Sequence, residues 1–345
     1  MRKIKVLLSV ILLFVNFLLF SCTPIPQNIE PISEEGTVLG TLCSVKIYDK
    51  RDTSILDLCF SKLVELENTL SINKTGTLID EVNANSGIKP VKVSKEIIDL
   101  VEYTFKYSDL SGGLFDISIG TLVKKWHIGF DDERVPSPEE IEEAKSTINY
   151  KDIIINKDDS TIFLKDKGMM LDFGSIAKGY AADCLNTILT ENGVKSAIID
   201  LGGNLFMKGK KVDGSQWIVG IQDPDETRGD YIGTVKADNK SFVTSGIYEK
   251  YFIQDGVYYH HLLNPFTGYP ENNDILSVSV ISDISLEGEC LTKTLYFLGK
   301  DKGLEYVESR KDIQAIYILK NYNVYISSGL KNNFILTNSK YTLKN

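Results

Sequence analysis

The sequence contains few of the residues on which many common binding sites depend. Its 345 residues include five cysteines and three histidines, and acidic residues outnumber basic ones by 47 to 38. The surplus of negative charge argues against a nucleic-acid-binding protein, because such proteins usually carry a basic footprint. Three histidines are too few for a histidine-rich metal site, so a catalytic histidine would have to be His127, His260 or His261.

Several familiar sequence signatures are also missing. The cysteines form no CxxC pair and show no zinc-type spacing, which argues against a structural zinc site. There is no Walker A motif and no GxGxxG run after a first strand, which argues against a simple nucleotide-binding fold. What is present, 43% apolar and 25% charged residues, is ordinary for a globular protein.

The first 22 residues are typical of an export signal. Three basic residues precede an apolar run, Val6–Phe20, which is too short for a comfortable membrane span. The run leads into Ser21-Cys22, and this end resembles the lipobox of bacterial lipoproteins. We therefore expect a lipoprotein signal peptide at 1–21 and acylation of Cys22, which would make the protein exported and lipid-anchored to the cell membrane. Ordinary signal-peptidase cleavage and an uncleaved anchor are the alternatives.

After the signal, the sequence predicts a tether and one domain. Residues 23–35 contain three prolines, three acidic residues and no apolar periodicity, so we predict a tether at 22–36 and a folded domain at 37–345. No internal repeat divides this domain.

The domain is predicted to belong to the α+β class. Apolar residues recur at helical spacing from Ile55 to Leu70, and Ser94 and Ser137 are good N-caps for two further helices. Helix-like and strand-like segments do not alternate regularly along the chain. This predicts mixed or antiparallel sheets with flanking helices instead of a doubly wound parallel sheet.

The segment Leu171–Tyr180 has the clearest indication of chemistry. It runs from a predicted strand through a glycine turn into a predicted helix, with Asp172 at the strand end and Lys178 one turn into the helix. Backbone N–H groups at a helix start favour an anion such as phosphate, and Lys178 is long enough to reach the same anion. For this segment alone, an ordinary strand-to-helix junction with a solvated lysine is the simpler interpretation.

Three further glycine-bearing stretches are weak when taken singly, because turns use Gly, Pro and Asn for backbone reasons. Together with Leu171–Tyr180, their order and spacing resemble the FAD:protein FMN transferases, the ApbE family. The resemblance extends from Leu39 to the C-terminal strands. It is carried by Leu39–Thr41, Ser111–Asp116 with Gly120 and Trp126, Asp172–Tyr180, Gly202–Asn204, Trp217–Pro224, Thr244–Tyr248, His261–Pro265 with Gly268–Pro270, and Glu289–Gly299.

This resemblance implies a fold and an activity. The fold would be a single two-lobed domain of the ApbE-like type. The chain would transfer FMN from FAD to a threonine hydroxyl of an exported target flavoprotein through a phosphoester bond, releasing AMP. FAD would be the substrate and Mg²⁺ the metal, and the acceptor would be a flavoprotein subunit of a redox-driven membrane complex. Two alternatives remain open: a metal-dependent FAD hydrolase giving FMN and AMP, and a non-catalytic FAD-binding lipoprotein.

The resemblance also assigns roles to individual residues. His261 is the expected base for the acceptor hydroxyl, and Lys178 is expected to offset charge as AMP leaves. The metal is expected on the backbone carbonyl of Ser175 and on Glu289. Besides Lys178, the residues expected to bind FAD are Leu39, Asn73, Leu114, Phe115, Asp116, Asp172 and Leu262. The simpler interpretations are a loop histidine bonded to its own turn for His261 and a turn cap for Asp116.

Two positions at the expected metal depart from the family pattern. The pattern has aspartate and threonine one helical turn apart, where this chain has Glu289 and Lys293. Glutamate is a longer but workable oxygen ligand, whereas a protonated lysine cannot ligate magnesium. Either the Lys293 ammonium takes over part of the metal's charge, or Thr292 supplies a hydroxyl. Near the flavin, Asn73 replaces a frequent aromatic residue.

Overall fold

Seven α-helices lie within residues 30–344, the part of the chain that the computed structural model describes. The predicted signal peptide, Cys22 and most of the predicted tether lie outside this range. The helices are α1 (Ser54–Leu70), α2 (Leu78–Ala84), α3 (Lys95–Leu110), α4 (Gly120–Trp126), α5 (Pro138–Lys145), α6 (Ala177–Glu191) and α7 (Ser285–Glu308). No helix in the described range is both long and apolar enough to cross a membrane.

Seventeen β-strands in the same range form four sheets. They are β1 (Ile32–Val38), β2 (Thr41–Ile47), β3 (Val91–Lys92), β4 (Ile153–Asn156), β5 (Thr161–Leu164), β6 (Ser196–Leu201), β7 (Asn204–Gly209), β8 (Trp217–Gln222), β9 (Tyr231–Ala237), β10 (Lys240–Gly246), β11 (Tyr251–Gln254), β12 (Val257–His260), β13 (Ile275–Ser282), β14 (Gln314–Leu319), β15 (Asn323–Ile326), β16 (Phe334–Leu336) and β17 (Thr342–Lys344).

The main sheet has nine strands in the order β1-β2-β6-β7-β10-β13-β14-β15-β17. All neighbouring pairs in it are antiparallel except β15 and β17, which are parallel. The three smaller sheets, β16-β9-β8, β3-β5-β4 and β11-β12, are antiparallel throughout. The predicted α+β class with mixed sheets and flanking helices is therefore confirmed.

The first strand corrects the predicted start of the domain. β1 begins at Ile32, opposite Ile47 of β2, and so includes five residues that the sequence assigned to the tether. The acidic residues Glu34 and Glu35 are tolerated because β1 is the edge strand of the main sheet and leaves one side open to water. The folded domain thus starts at Ile32 and not at residue 37.

Both faces of the main sheet are covered. Along β14, Ala315 and Tyr317 face a core shared with α1, α3, α6 and α7, whereas Ile316 and Ile318 face a core shared with the β16-β9-β8 sheet. Successive side chains of a strand point to opposite faces. The helices therefore lie on one side of the main sheet and the small sheet lies on the other. A third cluster joins α4 and α5 to the loop that carries Leu263.

The two predicted N-caps are confirmed. Ser94 Oγ accepts a hydrogen bond from the N–H of Ile97 at the start of α3, at 3.4 Å. Ser137 begins α5 with a complete capping box, in which the Glu140 side chain returns to the Ser137 N–H at 2.9 Å. Such caps satisfy N–H groups that a helix leaves unbonded at its first turn, and they are encoded locally.

Candidate functional site

Several of the predicted site residues lie at one end of the main sheet. The β1–β2 turn at Leu39–Gly40 lies beside the β6–β7 turn at Gly202–Gly203, because β2 and β6 are antiparallel neighbours. A Cβ on Gly202 would lie 2.1 Å from Thr41 Oγ1, so only glycine lets the two turns approach this closely. β10 is antiparallel to β7 and terminates at this same end of the sheet, where the chain continues into the β11–β12 hairpin.

Asp172 lies in an irregular segment that leads into α6. The strand predicted before it is reduced to one bridge between Met170 and Ile119, with a 2.8 Å hydrogen bond from the Asp172 N–H to the Ile117 carbonyl. The Asp172 carboxylate accepts the N–H of Gly174 at 2.8 Å. No side chain caps the start of α6, whose first turn carries Lys178. The junction therefore presents an uncapped helix start beside a carboxylate and a lysine.

Helices α6 and α7 are locked together at this end. A Cβ on Gly179 would lie 2.6 Å from both the Ser285 carbonyl oxygen and Glu289 Cγ, so the approach requires glycine. Asp183 of α6 accepts the N–H groups of Ser285 and Leu286 at 2.8 Å each and thus caps α7 from outside. Burial raises the pKa of Asp183 to about 6, and the two N–H bonds oppose that rise. This packing turns Glu289 towards the first turn of α6.

Glu289 is the centre of a buried charge cluster and is only 1% exposed. Its Oε1 lies 3.3 Å from Lys178 Nζ and accepts the amide N–H of Asn204 at 3.0 Å. Its Oε2 pairs with the ammonium of Lys293, one helical turn later. Burial alone would raise the pKa of Glu289, but the charges of Lys178 and Lys293 outweigh it and lower the pKa to about 2. The carboxylate is therefore ionised at neutral pH.

Three lysines share this neighbourhood with two acidic residues. Burial lowers the pKa of both Lys250 and Lys293, and the charge of Lys178 lowers both further. Asp172 opposes this effect at Lys250, and Glu289 opposes it at Lys293. Lys124, whose charge acts on Asp172, adds a fourth lysine, and this concentration of positive charge around Asp172 and Glu289 favours an anionic ligand.

His261 follows the β11–β12 hairpin and faces the same charges. Its Nδ1 lies 3.2 Å from the backbone carbonyl of Lys250. A carbonyl only accepts, so Nδ1 carries the hydrogen and Nε2 is left with the basic lone pair. Burial lowers the pKa of His261, and neighbouring His260, Lys293 and Lys250 lower it further, so the ring is neutral at pH 7. The next residue, Leu262, is buried, and its N–H donates to His260 Nδ1 at 3.3 Å.

Comparison with known proteins identifies the family. The model of the ApbE family matches residues 39–317. The chain belongs to the ApbE family. It is 33% identical to the FAD:protein FMN transferase of Treponema pallidum (strain Nichols) over 334 residues, which are 92% of each chain. It is 34% identical to that of Klebsiella pneumoniae (strain 342) over 309 residues, covering 90% of this chain and 96% of the relative.

Solved structures of the ApbE family have the same fold. The crystal structure of the ApbE protein from Thermotoga maritima superposes with a TM-score of 0.79 at 27% identity, covering 88% of this chain and 98% of that one. The flavin transferase ApbE from Vibrio cholerae superposes with a TM-score of 0.76 at 25% identity, covering 88% and 99%. The agreement extends over nearly the whole described domain.

Two further positions suggested by the ApbE resemblance lie at the rim of the charge cluster. Asn73 accepts a hydrogen bond from Lys124 Nζ at 2.6 Å. Burial raises the pKa of Asp172, and the charge of Lys124 opposes that rise, which places Asn73 and Lys124 on the Asp172 side of the site. Leu39 has a positive φ of 55° in its turn, and its N–H donates to Glu67 at 2.8 Å.

The Leu114–Asp116 segment passes beside Asp172, but its side chains are largely used within the fold. Phe115 is buried in the main core, and Leu114 is half-buried. Asp116 accepts the N–H and O–H of Ser118 at 2.7 and 2.6 Å and the N–H of Tyr150 at 2.8 Å. Both carboxylate oxygens of Asp116 therefore hold a loop, as in the turn-cap interpretation.

The side chains around Glu289 do not fit a magnesium ion. Mg²⁺ requires oxygen ligands in near-octahedral geometry, but both Glu289 oxygens already face ammonium groups and Lys293 has only donors to offer. The Thr292 hydroxyl donates to the Glu289 backbone carbonyl at 3.0 Å and accepts from Ser245 at 2.8 Å, so it does not replace the missing ligand. Ser175 lies in the turn before α6, and within 30–344 no three acidic, histidine or cysteine side chains gather to hold a metal.

Four side chains of the site were not among the residues to which the sequence assigned a role. Lys250 and Lys124 contribute charge, Asn204 bonds Glu289, and Asp183 caps α7. Asn204 had the best available indication, because it directly follows the double glycine of the β6–β7 turn. The lysines had none, since their role depends on which elements meet in space.

A concavity of about 450 Å³ lies beside the Asp116 loop. Its lining includes none of Lys178, Glu289 and His261, so the charges, and not this concavity, locate the candidate site. It is lined by Asp109, Gly112, Gly113, Asp116, Lys145, Ile148, Asn149, Tyr150, Lys151, Pro265 and Phe266.

Proposed function

We propose that this chain is an FAD:protein FMN transferase, which moves FMN from FAD to a threonine hydroxyl of a target flavoprotein and releases AMP. The observation that carries the proposal is the arrangement at one sheet end, where His261, whose Nδ1 is bonded to the Lys250 carbonyl, lies near Lys250 and Lys293, and Lys178 and Lys293 flank Glu289. The relatives named as FAD:protein FMN transferases favour transfer over the FAD hydrolase and over the non-catalytic FAD-binding lipoprotein.

The reaction needs a base, an anion site and a stabilised leaving group. His261 Nε2 takes the proton of the threonine hydroxyl, whose oxygen bonds to the phosphorus of the FMN half. The bond from that phosphorus to the bridging oxygen breaks, and the oxygen leaves with AMP. Lys178, at the start of α6, offsets the negative charge that develops there. No step is assigned to Mg²⁺, because the Glu289 surroundings do not fit it.

The other predicted residues have proposed places around FAD. The uncapped start of α6, with Asp172 behind it, receives the diphosphate. Leu39, Asn73 and the backbone of Leu114–Asp116 border the flavin and adenosine halves, and Leu262 supports the loop that presents His261. The support for this placement is their common position around the charge cluster.

The acceptor and the location are proposed from the sequence. We propose as acceptor an exported flavoprotein subunit of a redox-driven membrane complex, modified on threonine. Residues 1–22 suggest that the chain itself is exported and lipid-anchored through Cys22. Labelling of cells with a fatty-acid analogue tests the anchor, since Cys22→Ala would remove the label from an acylated protein.

The activity is tested by flavin labelling of a purified acceptor domain. Wild-type protein, FAD and the acceptor are incubated, and flavin fluorescence of the acceptor is read after denaturing electrophoresis. His261→Asn should lower the labelling rate by about 100-fold or more, because general bases contribute roughly 10²–10⁴. The matched control is His127→Asn, since His127 pairs with Asp132, stacks on Phe130 and has no part in the proposed reaction. The proposal fails if wild type gives no label, or if both variants label equally fast.

A further inference from the structure

We propose that Lys293 and Lys178 bind the diphosphate of FAD directly, so that this chain captures FAD and transfers FMN without a divalent cation. The transfer part of this inference rests on the proposed function, but the capture part does not. The argument starts from the position of Lys293, which lies one turn after Glu289 on the same face of α7.

The ammonium of Lys293 has unused donors. It is 8% exposed, and its one hydrogen-bond partner within residues 30–344 is Glu289. An ammonium has three donors, so two of them have no partner among the described residues, although the group is buried. Buried donors are costly to leave unbonded, which indicates that a ligand with acceptor oxygens completes the site.

Lys178 and Lys250 add to this surplus. Lys178 contacts Glu289 at 3.3 Å and has no other ion pair in the described range. Lys250 is not paired with any carboxylate there, and its Nζ lies 5.7 Å from the centre of the Phe130 ring; burial lowers its pKa, which the charge of Asp172 only partly opposes. A buried ion pair is poor evidence of a stabilising role, and here Lys178, which is 28% exposed, and the exposed Lys250 add further positive charge around the buried Glu289–Lys293 pair. A diphosphate supplies the missing negative charge and the acceptors together.

A divalent cation would act against this arrangement. It would have to displace two ammonium groups from Glu289 and then remain beside them, where like charges repel. The Lys293 ammonium already provides positive charge at the helix position where the family pattern has a hydroxyl ligand. The donor set thus suits a phosphate and not a metal.

The test measures FAD binding and FMN transfer separately, each in EDTA and in MgCl₂. For wild type, the Kd for FAD from flavin fluorescence and the labelling rate should each agree within about twofold between the two conditions. The inference is overturned if wild type loses FAD binding in EDTA and regains it with MgCl₂. If FAD binds in EDTA but no acceptor is labelled in either condition, the capture part stands and the proposed transferase function fails.

Two variants make the test specific. Glu289→Asp with Lys293→Thr restores an oxygen donor pair, and its FAD binding should become at least tenfold tighter in MgCl₂ than in EDTA. Lys293→Met alone should weaken FAD binding in EDTA by about tenfold to 100-fold, the usual range for losing a hydrogen bond to a charged group. The matched control is Lys302→Met, because Lys302 is an exposed lysine of the helical segment that follows the break at Gly299. Equal FAD binding by Lys293→Met and Lys302→Met, both with wild-type circular dichroism, would also overturn the inference.

Discussion

Replacing Glu289 by glutamine removes the negative charge that the ammonium groups of the buried Lys293 and the half-buried Lys178 share. The amide retains nearly the shape of the side chain and still accepts a hydrogen bond from Asn204, so the change isolates the charge. Lys293, which is 8% exposed, is then left buried without a counter-ion. Breaking a buried ion pair in this way usually costs about 3–5 kcal/mol.

The pKa of Glu289 leads to a similar magnitude. A lowering from 4.5 to about 2 corresponds to about 3 kcal/mol of stability at neutral pH. Because the folded pKa is below the unfolded one, this contribution is present above pH 4.5 and is lost as the pH falls through 2. The difference between wild type and Glu289→Gln should therefore be about 3 kcal/mol at pH 7 and about 1 kcal/mol smaller at pH 4.

The measurement is the free energy of unfolding from urea titrations followed by circular dichroism at pH 7 and pH 4. Glu305→Gln is the matched control, because Glu305 is an exposed glutamate of the helical segment after the break at Gly299, and it should remain within about 0.5 kcal/mol of wild type. If Glu289→Gln is as stable as that control, or if its deficit grows towards pH 4, the charge cluster does not have the role described above.

Three further predictions concern the elements that hold the site. Gly179→Ala should destabilise the protein by up to about 2 kcal/mol in urea titrations, because overpacking against the Ser285 carbonyl at 2.6 Å outweighs the helix propensity of alanine. The control, Thr187→Ala on the same helix, should not be destabilised in this way. A Gly179→Ala variant more stable than wild type would contradict the close approach of the two helices. Asp183→Asn should cost about 1–2 kcal/mol at pH 7 in the same assay by weakening the cap of α7, and wild-type stability would exclude that role. Because the pKa of His261 is lowered, the base stays unprotonated as the pH falls through 6.5, the usual pKa of histidine. The labelling rate should therefore not fall to half its value near pH 6.5 in a titration from pH 8 to pH 6. A fall to half near pH 6.5 in wild type that is absent from His261→Asn would refute this.

Local features could be predicted because their causes lie within a few residues. The caps at Ser94 and Ser137 depend on side chains three positions from their partners, and both are present as predicted. The two errors in strand assignment have the opposite origin. β1 starts at Ile32 because β2 is available to pair with it, and the predicted strand before Asp172 shrinks to one bridge because its neighbour, Ile117–Gly120, bonds it only at isolated positions before α4 begins. Strand pairing depends on distant segments, which a local pattern does not describe.

The residues of the candidate site also divide into those that the sequence could indicate and those whose role depends on the fold. The order of glycine-bearing segments was enough to name the family and to select Lys178, Asp172 and His261, which the fold brings to one sheet end. The same pattern suggested a metal at Glu289. The pattern contained both Glu289 and Lys293 but could not show that the two side chains pair with each other.

The sequence alone therefore determined the fold class, the family and most of the residues around the candidate site. The tertiary structure alone decided their electrostatics, namely that Glu289 lies between Lys178 and Lys293 and that Lys250 orients His261 through its backbone carbonyl. The physical reason is that charge interactions depend on distance and on burial. Both are set when α6, α7 and the β11–β12 hairpin meet, and neither is a property of any one segment.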